Sequence, residues 1–120
     1  MEGSDKKVQL QTERIEEVLI LSLSGEVHGL DVHKLHDELR DATGGPDKLV
    51  LLDLEKLLYI NSAGLSSVLM VAKRLQEKEA KFAVCSLSRA VKGVFKMSAF
   101  DKVIDVFESR SEAIEAIRSG

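Results

Sequence analysis

Four consecutive apolar residues, Leu49 to Leu52, constrain the fold more than any other stretch of this sequence. The run has no polar alternation, so it predicts a strand buried on both faces, in the middle of a sheet covered by helices. Downstream, apolar residues spaced three and four apart predict one amphipathic helix running from Leu65 to Leu75. Between strand and helix, Asn61 and Ser62 are both good N-cap residues. We therefore expect a strand–turn–helix unit with a hydroxyl at the positive end of a helix dipole.

The composition predicts one globular domain. The chain has 120 residues, of which 44% are hydrophobic and 31% charged, and this suits a single soluble domain with its own core. A net charge of −3 and the lack of a basic stripe with aromatics argue against binding of nucleic acid. No apolar run is long enough to insert into a membrane, and the first residues do not resemble a signal peptide. The single cysteine, Cys85, excludes an internal disulfide and fits a reducing, cytoplasmic environment.

The other elements alternate between strands and helices. We expect a flexible N-terminus over residues 1–7, followed by a hairpin whose strands start at Val8 and Val18 and meet at a Glu16-Glu17 turn. Gly25 is expected to end the second strand, and Asp31 to cap the first helix. Later segments predict short strands at 82–85 and 103–107 and helices capped by Ser88 and Ser109. The sum is an α/β domain over residues 8–118, with a mixed sheet of four to five strands and about four helices.

The order of these elements, together with three short motifs, resembles the STAS domain and, within it, the bacterial anti-sigma factor antagonists. The motifs are Gly25-Glu26, Asp53-Leu54 and Tyr59-Ile60-Asn61-Ser62-Ala63-Gly64-Leu65. The likeness covers nearly all of residues 8–117. It implies a regulatory protein and not an enzyme. The chain also lacks a P-loop, a G-x-G-x-x-G and a G-x-S-x-G motif, so we expect no cofactor and no catalytic nucleophile.

The resemblance also implies partners and a switch. In that family the unphosphorylated domain binds an anti-sigma factor that is a serine kinase of the histidine-kinase ATPase fold, and this binding frees a sigma factor. The kinase can phosphorylate the serine at the helix start, and a metal-dependent serine phosphatase of the PP2C type reverses the reaction. Matched onto this chain, the phosphoacceptor is Ser62. The implied partner-binding residues are Glu26, Val27, His28, Gly29, Asn61, Ala63, Gly64, Leu65 and Ser66.

Two positions depart from the family pattern, because antagonists commonly have Asp where this chain has His28 and Asn61. Both changes remove a negative charge from the implied docking face. A phosphate on Ser62 adds about −1.5 to −2 charge at neutral pH. We expect the free N–H groups of Gly64, Leu65 and Ser66 to satisfy some of its oxygens. We also expect the phosphate to block a partner that packs against this turn, because burying an unpaired charge is costly.

Plainer interpretations stay open for each residue. Ser62 or Asn61 can act as a helix cap alone, Asp53 is expected to bond backbone N–H groups of the next loop, and Cys85 is expected to be a buried, inert thiol. His33 and His36 lie three apart on the first helix, where we expect a solvated polar face and no metal site.

Two other functions also remain open. One is a constitutive, non-phosphorylated STAS adaptor in a signalling or membrane-associated complex. The other is a STAS module that senses a nucleotide or anion at the helix N-terminus. Both a monomer and a weak dimer fit the sequence.

Overall fold

The computed structural model describes residues 7–119, so the segment predicted to be flexible lies, except for Lys7, outside the described residues. The described chain alternates strands and helices much as the sequence predicts. In chain order the elements are β1 (Gln9–Ile15), β2 (Val18–Val27), α1 (Asp31–Ala42), β3 (Leu49–Asp53), β4 (Leu57–Ile60), α2 (Ser62–Glu77), β5 (Lys81–Cys85), α3 (Arg89–Met97), a 3-10 turn (Phe100–Lys102), β6 (Asp105–Phe107) and α4 (Arg110–Ser119).

A mixed sheet forms the centre of the domain. Five strands follow the order β1-β2-β3-β5-β6, and β4 pairs with β2 outside this order. The β1–β2 hairpin is antiparallel, whereas the other strand pairs are parallel. The apolar run of β3 lies between β2 and β5, and its residues 50–52 are at most 1% exposed. The expected α/β class, mixed sheet and four helices are therefore confirmed, and β4 adds a sixth strand to the four or five expected.

Helices cover both faces of this sheet. The larger core joins α1, α2 and α3 to residues Leu19, Leu21 and Leu23 of β2. The smaller core joins α4 to the opposite face of the sheet, where Val18 and Ile20 alternate with those leucines. This alternation is the period-two pattern of a strand with helices on both sides.

Two expectations near the end of β2 are wrong. Gly25 does not end the strand, because β4 supplies a further partner: the Gly25 N–H donates to the Lys56 carbonyl at 3.1 Å, and pairing continues to Val27. Gly25 has a φ of +94°, a conformation that glycine adopts without strain. Asp31 is the first residue of α1 and not its cap. Its carboxylate instead accepts a hydrogen bond from the backbone N–H of His28 at 3.1 Å.

The caps of the two C-terminal helices are confirmed. Ser88 Oγ accepts from the Val91 N–H at 3.2 Å, and Ser109 Oγ accepts from the Glu112 N–H at 3.2 Å. The last strand is shorter than expected and begins at Asp105. The reason is the preceding 3-10 turn, because the Ile104 N–H donates to the Phe100 carbonyl at 3.0 Å and not to a neighbouring strand.

Candidate functional site

The pairing of β2 with β4 brings the two predicted binding segments together. Glu26 lies opposite Tyr59 and Val27 opposite Ile60 in the parallel ladder. The Asn61 N–H then donates to the Val27 carbonyl at 3.2 Å. Since α1 follows β2 and α2 follows β4, both helices begin at the same edge of the sheet. This is the edge where ligands and partners approach parallel sheets.

Asn61, and not Ser62, caps α2. Its Oδ1 accepts from the Gly64 N–H at 2.8 Å. Ser62 is the first residue of the helix and is exposed, and its hydroxyl makes no hydrogen bond within residues 7–119. The interpretation of Ser62 as a cap alone is therefore wrong, because the amide beside it already fills that role. Asn and Asp are equally good N-caps, so the departure at this position keeps the helix start and removes only the charge.

One expectation about the first turn of α2 needs correction. The Gly64 N–H is bound to the Asn61 side chain, and the Leu65 N–H donates to the Asn61 carbonyl at 3.0 Å. These two donors are therefore not available to a phosphate. Within the first turn of α2, the N–H groups of Ser62 and Ala63 have no hydrogen-bond acceptor among residues 7–119, and both adjoin the Ser62 hydroxyl.

Gly64 allows close packing of this turn on the strands. A Cβ atom at this position would lie 2.7 Å from Val27 Cγ1 and 2.8 Å from Ile60 Cγ1. Val27 and Leu65 are themselves 0% and 1% exposed. Of the implied binding residues, Val27, Gly64 and Leu65 are buried and support the surface from below. The exposed members are His28, Gly29, Ala63 and Ser66, with Glu26 and Asn61 half-buried.

The loop after β2 is held by several contacts around His28. Its Nε2 lies 2.8 Å from Glu26 Oε1, and its ring stacks on that of Tyr59 with centroids 4.8 Å apart and planes inclined by 21°. Sequence reasoning did not select Tyr59 as a site residue. The signal was present in the sequence. If the segment Leu57 to Ile60 is interpreted as a strand, Tyr59 is placed beside the end of β2.

A second set of polar contacts ties α4 to the sheet near this edge. Asp53 Oδ1 accepts from the Glu55 N–H at 3.0 Å, as expected, and Oδ2 accepts from Arg110 Nε at 2.8 Å. Arg110 also donates to Ser22 Oγ and Glu13 Oε2, each at 3.2 Å. Burial opposes the charge of Arg110, but the hydrogen bond and the charge of Asp53 outweigh it and raise the pKa of the guanidinium. Sequence reasoning missed Arg110.

Cys85 lies in the core and is 0% exposed. Burial raises the pKa of its thiol to about 11, so the group is neutral at physiological pH. The predicted burial of Cys85 is confirmed, and a neutral, inaccessible thiol is expected to be a poor nucleophile.

His33 and His36 lie on α1, where His33 is exposed and His36 half-buried. Over residues 7–119, no three His, Cys, Asp or Glu side chains are grouped as metal ligands. None of the helices described is both long and apolar enough to cross a bilayer.

Comparisons with known proteins agree with this architecture. The model of the STAS domain family matches residues 9–113. BtrV of Bordetella bronchiseptica, named as an anti-sigma factor antagonist, is 35% identical over 112 residues, which cover 93% of this chain and 97% of BtrV. The crystal structure of an anti-sigma factor antagonist from Mycobacterium paratuberculosis has a TM-score of 0.87 at 20% identity, covering 94% of this chain and 96% of that one.

SpoIIAA of Bacillus, solved in its phosphorylated form, has a TM-score of 0.68 at 21% identity over 91% of this chain and 99% of SpoIIAA. The fold and these matches define the class: the chain belongs to the STAS domain family. Within that family it groups with proteins named as anti-sigma factor antagonists, and the resemblance stated from the sequence is confirmed.

Proposed function

We propose that this protein is an anti-sigma factor antagonist that acts by binding and not by catalysis, in the cytoplasm. The observation that carries the proposal is the position of Ser62, which is exposed at the start of α2 while Asn61 provides the cap. Its hydroxyl has no structural task, so it can be modified without loss of the helix start. The name of BtrV, an anti-sigma factor antagonist, supplies the class of partner.

The proposed cycle has two states. Unphosphorylated protein binds an anti-sigma factor that is a serine kinase of the histidine-kinase ATPase fold, and a sigma factor is released. The kinase then transfers the γ-phosphoryl group of ATP to Ser62 Oγ, the hydroxyl proton leaves, and ADP is the product. A PP2C-type phosphatase hydrolyses the phosphoserine and restores the binding form.

Physical chemistry favours a local switch over a refolding switch. A phosphate at the first residue of a helix is stabilised by the dipole by about 0.3–1 kcal/mol, so the fold itself tolerates the modification. A partner packed on Ser62 must instead bury added charge and volume. Burying a charge without full pairing costs several kcal/mol, and each 1.4 kcal/mol or so weakens binding tenfold.

The first test is phosphorylation, followed by intact mass spectrometry. The protein and its Ser62→Ala and Ser66→Ala variants are incubated with the candidate kinase and ATP. Ser66 is the matched control, because it is an exposed serine one turn further along the same helix. We expect one added phosphate in the wild type and in Ser66→Ala, and none in Ser62→Ala. A phosphate that persists in Ser62→Ala would assign the reaction to another residue.

The second test is binding. A Ser62→Asp variant should bind the kinase at least tenfold more weakly than the wild type. Ser111→Asp should differ little, because Ser111 is an exposed serine in the first turn of α4, on the opposite face of the sheet. Equal affinity of Ser62→Asp and wild type would exclude the switch. Binding without any phosphorylation, by a kinase that is active on another substrate, would favour the constitutive adaptor.

A further inference from the structure

Exposed apolar side chains occur in the two segments that the β2–β4 pairing brings together, a few residues from Ser62 in the chain. In residues 7–119, six large hydrophobic side chains are strongly exposed, and three of them belong to the loop after β2 or to β4: Leu30 at 86%, Leu58 at 54% and Tyr59 at 41%. The other three, Met70, Met97 and Val103, lie in other parts of the chain. Adjacent exposed apolar groups are costly in water, and they commonly mark a surface that another molecule covers.

A β-bulge produces part of this exposure. The ladder pairs Gly25 with Leu57 and Glu26 with Tyr59, so Leu58 is an extra residue on β4. As a result the two central residues of β4 are both exposed, while Leu57 and Ile60 are both buried. Bulges of this kind redirect side chains near functional sites. Neither Leu58 nor Tyr59 is needed to fill the core.

The aromatic part of this surface is held rigidly. His28 stacks on Tyr59, and its ring nitrogen contacts Glu26 while its backbone N–H is bound by Asp31. A side chain that is already ordered loses little entropy when a partner covers it, which is a property of residues that contribute most to binding.

The charges at the His28 end of this surface have one sign. The segments 26–31 and 57–67 contain two carboxylates, those of Glu26 and Asp31, and no Lys or Arg, whereas the exposed Lys56 lies at the other end, directly before β4. Both carboxylates converge on His28. A partner with complementary charge would therefore present Lys or Arg at this border.

We propose that His28, Leu30, Leu58 and Tyr59, here called the ribbon patch, form the apolar part of the surface that binds the anti-sigma factor. The partner is inferred to carry apolar side chains bordered by Lys or Arg. This inference rests on the proposed function, and it is supported by the continuity of the patch with Ser62 through Ile60 and Asn61. A partner that covers the patch must also lie close over the start of α2, which explains how a phosphate there would hinder binding.

The test measures the affinity of the purified kinase for a double variant, Leu58→Ser with Tyr59→Ser. The matched control is Met97→Ser with Val103→Ser, which removes apolar side chains that are 90% and 67% exposed elsewhere. We expect the double variant to bind about tenfold more weakly or worse, and the control to bind within about twofold of wild type. Equal affinities of the two variants would overturn the ribbon patch.

Two further measurements distinguish a failure of the ribbon patch from a loss of folding and from a failure of the proposed function. Thermal unfolding identifies any variant that has lost its fold. If the double variant does not fold, the affinity comparison is replaced by amide chemical shifts of the wild-type protein, recorded with and without the kinase. Unchanged shifts at residues 28–30 and 58–59 would overturn the ribbon patch. Affinity should fall as salt rises, and an affinity that salt leaves unchanged or strengthens would reject the basic border. Failure of the wild type to bind any such kinase would instead reject the proposed function.

Discussion

At the scale of single residues, the start of α2 depends on side chains that are small or absent. Gly64 lets the first turn approach the β2–β4 ribbon, and Asn61 ties that turn to the same ribbon through its backbone N–H. Ser62 is thereby presented to solvent without being used for packing. The position of the proposed phosphoacceptor is thus set by its neighbours and not by the serine itself.

Gly64→Ala should destabilise the protein by about 1–3 kcal/mol, because the new Cβ meets two buried side chains at under 3 Å. Gly93→Ala is the matched control, since it lies within α3 with no heavy atom within 4 Å of the added Cβ. There we expect a gain of about 0.5–1 kcal/mol from helix propensity. Urea unfolding of the two variants checks the prediction, and a Gly64→Ala protein as stable as wild type would contradict it.

At the scale of elements, α4 is attached to the sheet by apolar contacts at Ala113 and Ile117 and by Arg110 at its first turn. Arg110 bonds Asp53, Glu13 and Ser22, one residue from each of β3, β1 and β2. The carboxylate of Asp53 is almost fully buried, at 5% residue exposure. Its second oxygen binds the loop that leads into β4, so the same residue connects α4 to the candidate site.

Arg110→Met should destabilise the protein by about 1–3 kcal/mol, because it leaves a buried carboxylate without its charged partner. Arg118→Met is the matched control in the same helix. Arg118 faces Glu16 at 3.4 Å with both side chains about half exposed, and such pairs contribute little. We expect the control to change stability by no more than about 0.5 kcal/mol. Denaturant unfolding measures the stability of both variants. Similar losses of unfolding free energy would show that the contact with Asp53 contributes no more than the exposed pair.

At the scale of the whole molecule, the two cores share the central strands. Leu51 of β3 faces the α4 side, while Val50 and Leu52 face the three-helix side. Cys85 lies in the α4 core at the end of β5 and reaches solvent only when that core opens. Its chemistry therefore reports the opening of the domain.

The raised pKa of Cys85 predicts a pH dependence of global stability. The thiol titrates at about 11 in the folded state, against an ordinary value of 9.0. Above the lower value the unfolded chain gives up this proton while the folded chain keeps it, so the free energy of unfolding falls as pH rises from about 9 to about 11. Urea unfolding across this range should show a steeper loss for wild type than for Cys85→Ala, in which the thiol is absent. Equal slopes would show that the cysteine does not contribute.

Much of the fold follows from local sequence. The apolar run in β3, the stripe of α2 and the serine caps of α3 and α4 each depend on residues within a few positions, and local periodicity reports which side of an element faces solvent. The candidate serine could also be located, because its motif is continuous in the sequence. The family resemblance came from this motif together with Gly25-Glu26, Asp53-Leu54 and the order of the elements.

What the sequence by itself determined is therefore the set of elements, their buried faces and the exposed turn that carries Ser62. Only the tertiary structure decided which of two adjacent residues caps α2, because Asn61 and Ser62 have similar local propensity for the N-cap position. The choice depends on the hydrogen bond that holds the Asn61 backbone at the end of β2. The tertiary structure also decided that β4 pairs with β2, that a bulge exposes Leu58, and that Arg110 reaches Asp53. These contacts join residues about 30 to 60 positions apart or depend on a strand pairing, and no local pattern encodes them.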